Sequence, residues 1–367
     1  MKKILIVGSF SGKSRRVYGG ISKSCEALMT SEFANRFEIK TIDSTQISNP
    51  APNVLVRLLR AAFRLMEFVY VLIHFRPDAT LLFCSSGMSF IEKCLLAFIA
   101  RIVRSVTFLF PRAGALIENA RSSKVFYKFV KVLLRGTNIF LCQGKTWRDF
   151  AINEIGFDAS TVRIVPNWTA TPELQVIGEN RVYEDRNKKV KILFVGWLER
   201  QKGVLELLEA ANQLAINGKN FCVTFAGDGR LKQLAEKFVK ENALDDYIDL
   251  RGWLNEDKLA EAYMEHTIFV LPSWSEGMPN SLIEAMAAKM AVIATDVGMI
   301  SDFVIHRESG LLIPPKNASI LYQELLSLVD NDRLRRNMAD EAFRTAISSF
   351  GLEVGTKKLG DTIDEFS

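Results

Sequence analysis

The hexapeptide KILIVG at residues 3 to 8 returns almost unchanged as KILFVG at residues 191 to 196. Each copy is a short apolar run closed by glycine and followed by polar loop residues, the pattern of a buried strand entering an α/β unit. A chain that starts such a unit twice is constrained to two α/β domains. Its 367 residues also exceed what one hydrophobic core ordinarily organises. The runs ATLLFC, SVTFLF, NIFLC, FCVTFAG, TIFVLP and MAVIAT alternate with helix-like stretches through both halves. This alternation predicts parallel sheets with helices on both faces. We expect a first domain over residues 1–168 and a second over 190–350, with a helix at 351–367 that packs back on the first. The stretch TATPELQVIGENRVYEDRNKK, residues 169–189, is polar, contains Pro and Gly and lacks sustained periodicity, so it reads as the linker.

Charge and cysteine usage narrow the function classes. Cys25, Cys84, Cys94, Cys142 and Cys222 are scattered without C-x-x-C spacing, which argues for reduced thiols and against a disulfide framework or a zinc site. The apolar run before Gly8 is too short for a signal peptide, so a cytoplasmic chain is expected. The net charge of +5 conceals an asymmetry, because residues 1–168 carry +13 and residues 169–367 carry −8. In residues 54–75, Arg57, Arg60, Arg64 and Glu67 recur at helical spacing, predicting an amphipathic helix rather than a membrane span. Lys124, Lys128, Lys131 and Arg135 mark one helical face opposite Phe126, Val130 and Leu133. Two basic stripes with aromatic neighbours suit an anionic bilayer, or they are solvated outer faces. No recognised nucleic-acid motif accompanies them, so nucleic acid is not an expected partner.

Candidate phosphate-binding segments differ in quality. GSFSGKS at residues 8–14 falls one residue short of a P-loop, whose nest depends on that count. GDG at 227–229 follows a strand but has no third glycine, and a tight turn is its default reading. GWLERQKGV at 196–204 places Arg200 and Lys202 just before Gly203 and a helix-like run, where cations can meet a diphosphate. In SEGMPNSLIEAMA, residues 275–287, Glu276 and Glu284 stand seven residues apart across a Gly-containing loop and a helix start. Ser281 and Glu284 fit a capping box, which would make Glu284 structural. Glu276 is left unexplained by that reading. Free amides at a helix start favour phosphate, and carboxylates beside them suit sugar hydroxyls.

Taken in order, YGGIS (18–22), VPNW (165–168), FVGWLERQKG (194–203), FAGDG (225–229), LRGWL (250–254), VLPSWSEGMPNSLIEAMA (270–287), AVIATDVG (291–298) and SGLLIPP (309–315) resemble the retaining, nucleotide-sugar-dependent glycosyltransferases of the E-x7-E type, glycosyltransferase family 4 or glycosyl transferases group 1. The resemblance implies the GT-B fold, an α/β architecture of two facing Rossmann-like domains with parallel sheets and an interdomain cleft. It implies that Glu284 accepts from the donor ribose and Glu276 from the transferred sugar. Arg200 and Lys202 would neutralise the diphosphate, with the amides of Ser281 and Leu282 assisting. Gly19 and Gly20 would admit the phosphates to the first domain, and the base would lie against Gly252, Trp253 and Leu254. Gly227, Gly277 and Asn280 complete the implied donor site.

Three positions depart from the family pattern. Trp197 stands where Arg is usual, Arg112 where many members have His, and Met299 where a second glycine would leave a wider sugar pocket. Arg112 cannot act as a base but can hold a phosphate or an anionic acceptor. Lys202, Arg200 and a helix dipole can supply the positive field, so no cofactor or metal is expected beyond the nucleotide diphosphate sugar that serves as donor. The implied reaction moves a hexose-type sugar to a saccharide or lipid-linked acceptor in bacterial surface polysaccharide synthesis, including O-antigen, at the inner face of the plasma membrane. The alternatives are a transferase-like binding protein without turnover, a GT-B sugar-nucleotide epimerase and a P-loop-like kinase.

Overall fold

A computed structural model of the protein describes residues 1–10, 20–45, 53–112, 114–182 and 189–367. The chain forms two compact units, Met1–Thr169 with Leu352–Ser367 and Ala170–Gly351. In the first unit the strands are β1 (Lys3–Gly8), β2 (Glu38–Asp43), β3 (Ala79–Cys84), β4 (Val106–Pro111), β5 (Ile139–Cys142) and β6 (Val162–Ile164), in the sheet order β2-β1-β3-β4-β5-β6. In the second they are β7 (Val190–Val195), β8 (Phe221–Ala226), β9 (Ile248–Gly252), β10 (Ile268–Leu271), β11 (Ala291–Thr295) and β12 (Leu311–Ile313), in the order β12-β11-β10-β7-β8-β9. Every pairing is parallel, so both sheets are doubly wound α/β structures as the alternation predicts.

The central strands are apolar on both faces because helices cover both. All six residues of β3, all four of β5 and all five of β11 are buried. The connections reverse direction between β1 and β3 in the first sheet and between β7 and β10 in the second. At such a switch point the loops after the two strands part and leave room for a ligand.

The expected linker is corrected. Residues from Ala170 belong to the second unit, and Pro172–Glu179 is a helix with Thr171 at its N-cap. The proline that suggested a break occupies the first helical turn, where its missing N–H is harmless. Leu174 and Gly178 are buried, and Arg181 Nε donates to Ala288 O at 2.7 Å, with its Nη groups reaching His266 O and Tyr263 O. The C-terminal helix Leu352–Phe366 returns to the first unit. Leu359 and Ile363 join that unit's core, and Arg36 reaches both Asp361 and Asp364.

Two helices of the first unit carry the basic stripes. Val54–Phe75 buries only Phe68, Leu72 and Phe75, while Leu55, Leu59 and Phe63 are exposed beside Arg57 and Arg60. Arg64 is not a free member of the stripe, since its Nε donates to Glu92 at 2.6 Å. Lys124–Leu133 buries Val130 and Leu133 and exposes Lys124, Lys128 and Lys131 with Val125, Phe129 and Val132 between them. Among the described residues no helix is long and apolar enough to cross a membrane. All five cysteines are free, and Cys222 alone is not fully buried.

Candidate active site

The switch point of the second sheet brings the loops after β7 and β10 together. After β7 the chain makes a 3-10 turn at Arg200–Lys202 and reaches Gly203 at φ 70°, and the helix Val204–Ile216 follows. A side chain at Gly203 would put Cβ 2.0 Å from Pro272 O, so only glycine lets the two loops meet this closely. Trp274 N donates to Gln201 O at 2.8 Å and locks that approach. The result is an ion pair, with Lys202 Nζ donating to Glu276 Oε1 at 2.6 Å. Ser273 Oγ donates to the same oxygen at 2.7 Å, and Ser273 O is held by Thr295 Oγ1 from the end of β11. From below, Gly298 at φ 63° presses its Cα against Glu276 O, where any Cβ would stand 2.1 Å away.

Arg200 joins the group through Trp274, its guanidinium lying 5.7 Å from that ring's centroid. Lys316 Nζ lies 4.6 Å from the same centroid, and Trp274 Nε1 donates to Glu206 at 2.8 Å. Sequence reading missed Ser273, Trp274 and Lys316. The first two sit inside the quoted loop and could have been found there, whereas Lys316 is distant in sequence and carries no local signal.

The helix after this loop is Asn280–Ala287, with Pro279 at its N-cap. The capping box is therefore not formed, because Ser281 lies inside the helix and Glu284 in its second turn. The first-turn amides of Asn280, Ser281 and Leu282 have no intrahelical acceptor and make the positive end of the helix dipole. Gly277 precedes them in the loop, its O accepting from Met299 N at 3.1 Å. Met299 itself is buried beneath the loop. Glu284 is 3 % exposed, and its Oε2 accepts from Tyr263 Oη at 2.8 Å. Burial and the adjacent carboxylate push the Tyr263 phenol well above its ordinary pKa, so it stays a donor.

The remaining expected residues fall in two places. Gly227 N donates to Gly252 O at 2.8 Å, joining the loop after β8 to the end of β9. Trp253 and Leu254 follow, Trp253 with 56 % of its surface exposed as a flat face, Leu254 half-buried. In the first unit Gly20 opens the helix Gly20–Thr30, and Arg112 directly follows β4. Gly19 lies outside the described residues. Among the described residues no three His, Cys, Asp or Glu side chains gather where they could hold a metal ion.

Residues 178–345 match the family described as Glycosyl transferases group 1. An uncharacterized glycosyltransferase of Methanocaldococcus jannaschii is 33% identical over 175 residues, 47% of this chain and 48% of that protein. The N,N'-diacetylbacillosaminyl-diphospho-undecaprenol alpha-1,3-N-acetylgalactosaminyltransferase of Campylobacter jejuni is 29% identical over 161 residues, 44% of this chain and 41% of that protein. The chain thus spans about half the length of the curated relatives it matches. The solved sucrose-phosphate synthase of Thermosynechococcus elongatus superposes with a TM-score of 0.78 at 17% identity, over 100% of this chain and 99% of that one, a likeness that shows the GT-B fold.

Proposed function

We propose that this chain, whose residues 178–345 form a glycosyl transferases group 1 domain, moves a hexose-type sugar from a nucleoside diphosphate donor to a saccharide or lipid-linked saccharide, with retention and without a metal ion. The observation that carries this is the Lys202–Glu276 pair at the switch point of the second sheet. Glu276 holds the cation in place. An arriving diphosphate is the stronger partner for Lys202, with Arg200 and the helix amides at Asn280 to Leu282 beside it. Losing the lysine frees a lone pair of Oε1 for the sugar hydroxyls, while Ser273 still donates to that oxygen and keeps the carboxylate aimed. As the bond from the anomeric carbon to the phosphate oxygen breaks, charge grows on the leaving diphosphate, where the fixed cations stabilise it most. Glu284 lies one helical turn further on to accept from the ribose, and the exposed Trp253 offers a face for the base.

Thermal shift of the full chain against nucleoside diphosphate sugars differing in base and sugar tests this reading. A donor at a hundredfold over its dissociation constant stabilises by about 2.7 kcal/mol. A panel in which none raises the melting temperature overturns the proposal.

The acceptor reading is supported by the Campylobacter jejuni relative, whose name specifies a diphospho-undecaprenol-linked substrate. Exposed Leu55, Leu59 and Phe63 beside Arg57 and Arg60, with the Lys124, Lys128 and Lys131 face, suit an anionic bilayer, each cation adding about 1 kcal/mol. Cosedimentation with phosphatidylglycerol vesicles should weaken with salt and with Leu59→Ser and Phe63→Ser. Binding indifferent to lipid charge removes the membrane from this account.

A further inference from the structure

The carboxyl edge of the first sheet is built on a different plan. Arg112 follows β4, and its backbone N–H donates to Cys84 O at the end of β3, 2.8 Å away. Its guanidinium lies 4.9 Å from the centroid of Phe110 and 5.1 Å from that of Trp168. Nη2 donates to Ser24 Oγ at 2.7 Å, and Trp168 Nε1 donates to Ser24 O at 2.8 Å. The plane of the cation is thereby fixed by two rings and one hydroxyl. Nη1 is buried and, among the described residues, has no hydrogen-bond partner. Burial pulls the guanidinium pKa down to about 10, which leaves it charged at neutral pH. Among the described residues no carboxylate pairs with it. A buried cation with an idle N–H is an arrangement that folding alone disfavours.

A second idle group stands at the end of the neighbouring strand. Gln143 directly follows β5 as Arg112 follows β4, and the two strands are neighbours, Phe108 pairing with Ile139 and Leu109 with Phe140. Gln143 Nε2 donates to Asn167 Oδ1 at 2.6 Å, and its Oε1 is buried with no partner among the described residues. One edge therefore offers a cationic donor and a neutral acceptor, both preorganised and both unused.

We propose that this edge binds an oxyanion of the acceptor, a phosphate or carboxylate with a hydroxyl nearby, Arg112 Nη1 donating to the anion and Gln143 Oε1 accepting from the hydroxyl. This rests on the transferase reading and names its acceptor class as an anionic saccharide. Arg112 is then a specificity residue, since its fixed cation rewards an acceptor that brings negative charge and leaves a neutral one without compensation.

The test uses the full chain titrated calorimetrically with glucose 6-phosphate, glucuronate and glucose. The expected result is at least tenfold tighter binding of an anionic probe than of glucose, with the phosphate and carboxylate arms showing which anion is preferred. Arg112→Gln should abolish the preference, and Arg112→Lys should retain part of it, because a lysine keeps the charge but not the fork held by Ser24. Gln143→Leu should weaken the anionic probes severalfold. Should Arg112→Gln melt early, Ser24→Ala is the milder probe, expected to lower the preference without removing the cation. Equal binding of glucose and both anions, or a preference unchanged in Arg112→Gln and Arg112→Lys, overturns the proposal. Binding of UDP to the unaltered chain, followed in the same samples, reports on the transferase reading separately.

Discussion

The carboxyl edges of the two sheets handle charge in opposite ways. In the second unit Lys202 is partnered by Glu276, Glu276 also by Ser273, and Glu284 by Tyr263, while Arg200 and Lys316 lie over the Trp274 ring. In the first unit Arg112 keeps an idle, buried N–H with no acid beside it among the described residues. A self-neutralised site holds its geometry when empty and exchanges one internal partner for a ligand. A site with an uncompensated cation instead keeps a place for an anion, and is less stable for it. The lesson is that partnered and orphaned groups mark two kinds of binding, exchange in one unit and completion in the other.

The largest effect expected is on Lys202. Lys202→Ala should lower turnover by roughly 10²- to 10³-fold, the scale for removing one preorganised electrostatic group. It should do so for every acceptor, and for hydrolysis of the donor by water. The fold should persist, because Ser273 still donates to Glu276. Arg112→Gln, by contrast, should lower transfer to anionic acceptors while sparing hydrolysis. Rates with donor alone and with each acceptor check the contrast, and EDTA should change neither. A strict magnesium requirement would sink the metal-free mechanism.

How far the sequence revealed these sites depended on whether their cause was local. The repeated KILIVG and KILFVG runs are strands, and so are all six other apolar runs, because buried parallel strands are apolar throughout. β2 escaped notice because it is polar, with Ile42 its one fully buried residue, and β6 and β12 because they are three residues long. The helix at Pro172–Glu179 was hidden by a proline whose position within a turn only the structure reveals. The Glu276 loop was legible because its residues are contiguous. The partner of Glu284 was not, because Tyr263 reaches it from another helix, Glu256–Glu265. Arg64 looked like one more surface cation until Glu92, on the helix Met88–Ile102, came within 2.6 Å.

A second, smaller effect separates the units by pH. His266, before β10, has Nδ1 2.7 Å from Ala262 O and Nε2 2.8 Å from Thr224 Oγ1. That pairing fits a neutral ring with one donor and one acceptor. Burial pulls its pKa from 6.5 down to about 4. The unfolded chain therefore takes up this proton more readily than the folded one. The associated stability is fully present above pH 6.5 and is lost as pH falls from there towards 4, by roughly 3 kcal/mol at the end of the window. Arg112 remains charged across that range and contributes no such slope. Hydrogen exchange at pH 7 and pH 4.5 should show β8 and β10 losing protection from this source, and His266→Gln should flatten the trend. An identical pH response in that variant would remove the histidine from the explanation.

The smallest effect decides whether Glu284 binds or merely packs. Glu284→Gln keeps an oxygen to accept from Tyr263 and removes the charge, so the fold should be nearly unaffected. If the carboxylate also accepts the ribose hydroxyls, affinity for a nucleoside diphosphate should fall about tenfold, or about 1.4 kcal/mol. Tyr263→Phe makes the complementary change. It takes one donor from a buried carboxylate and should lower stability by about 1–3 kcal/mol while the nucleotide still finds Glu284 in place. Paired calorimetric titration and denaturation of the two variants give four numbers. A crossed pattern, affinity lost in Glu284→Gln and stability lost in Tyr263→Phe, identifies a partnered group that exchanges with ligand. Unchanged affinity in Glu284→Gln would mean that Glu284 serves only the core, and that partnering in the second unit is structural at this position.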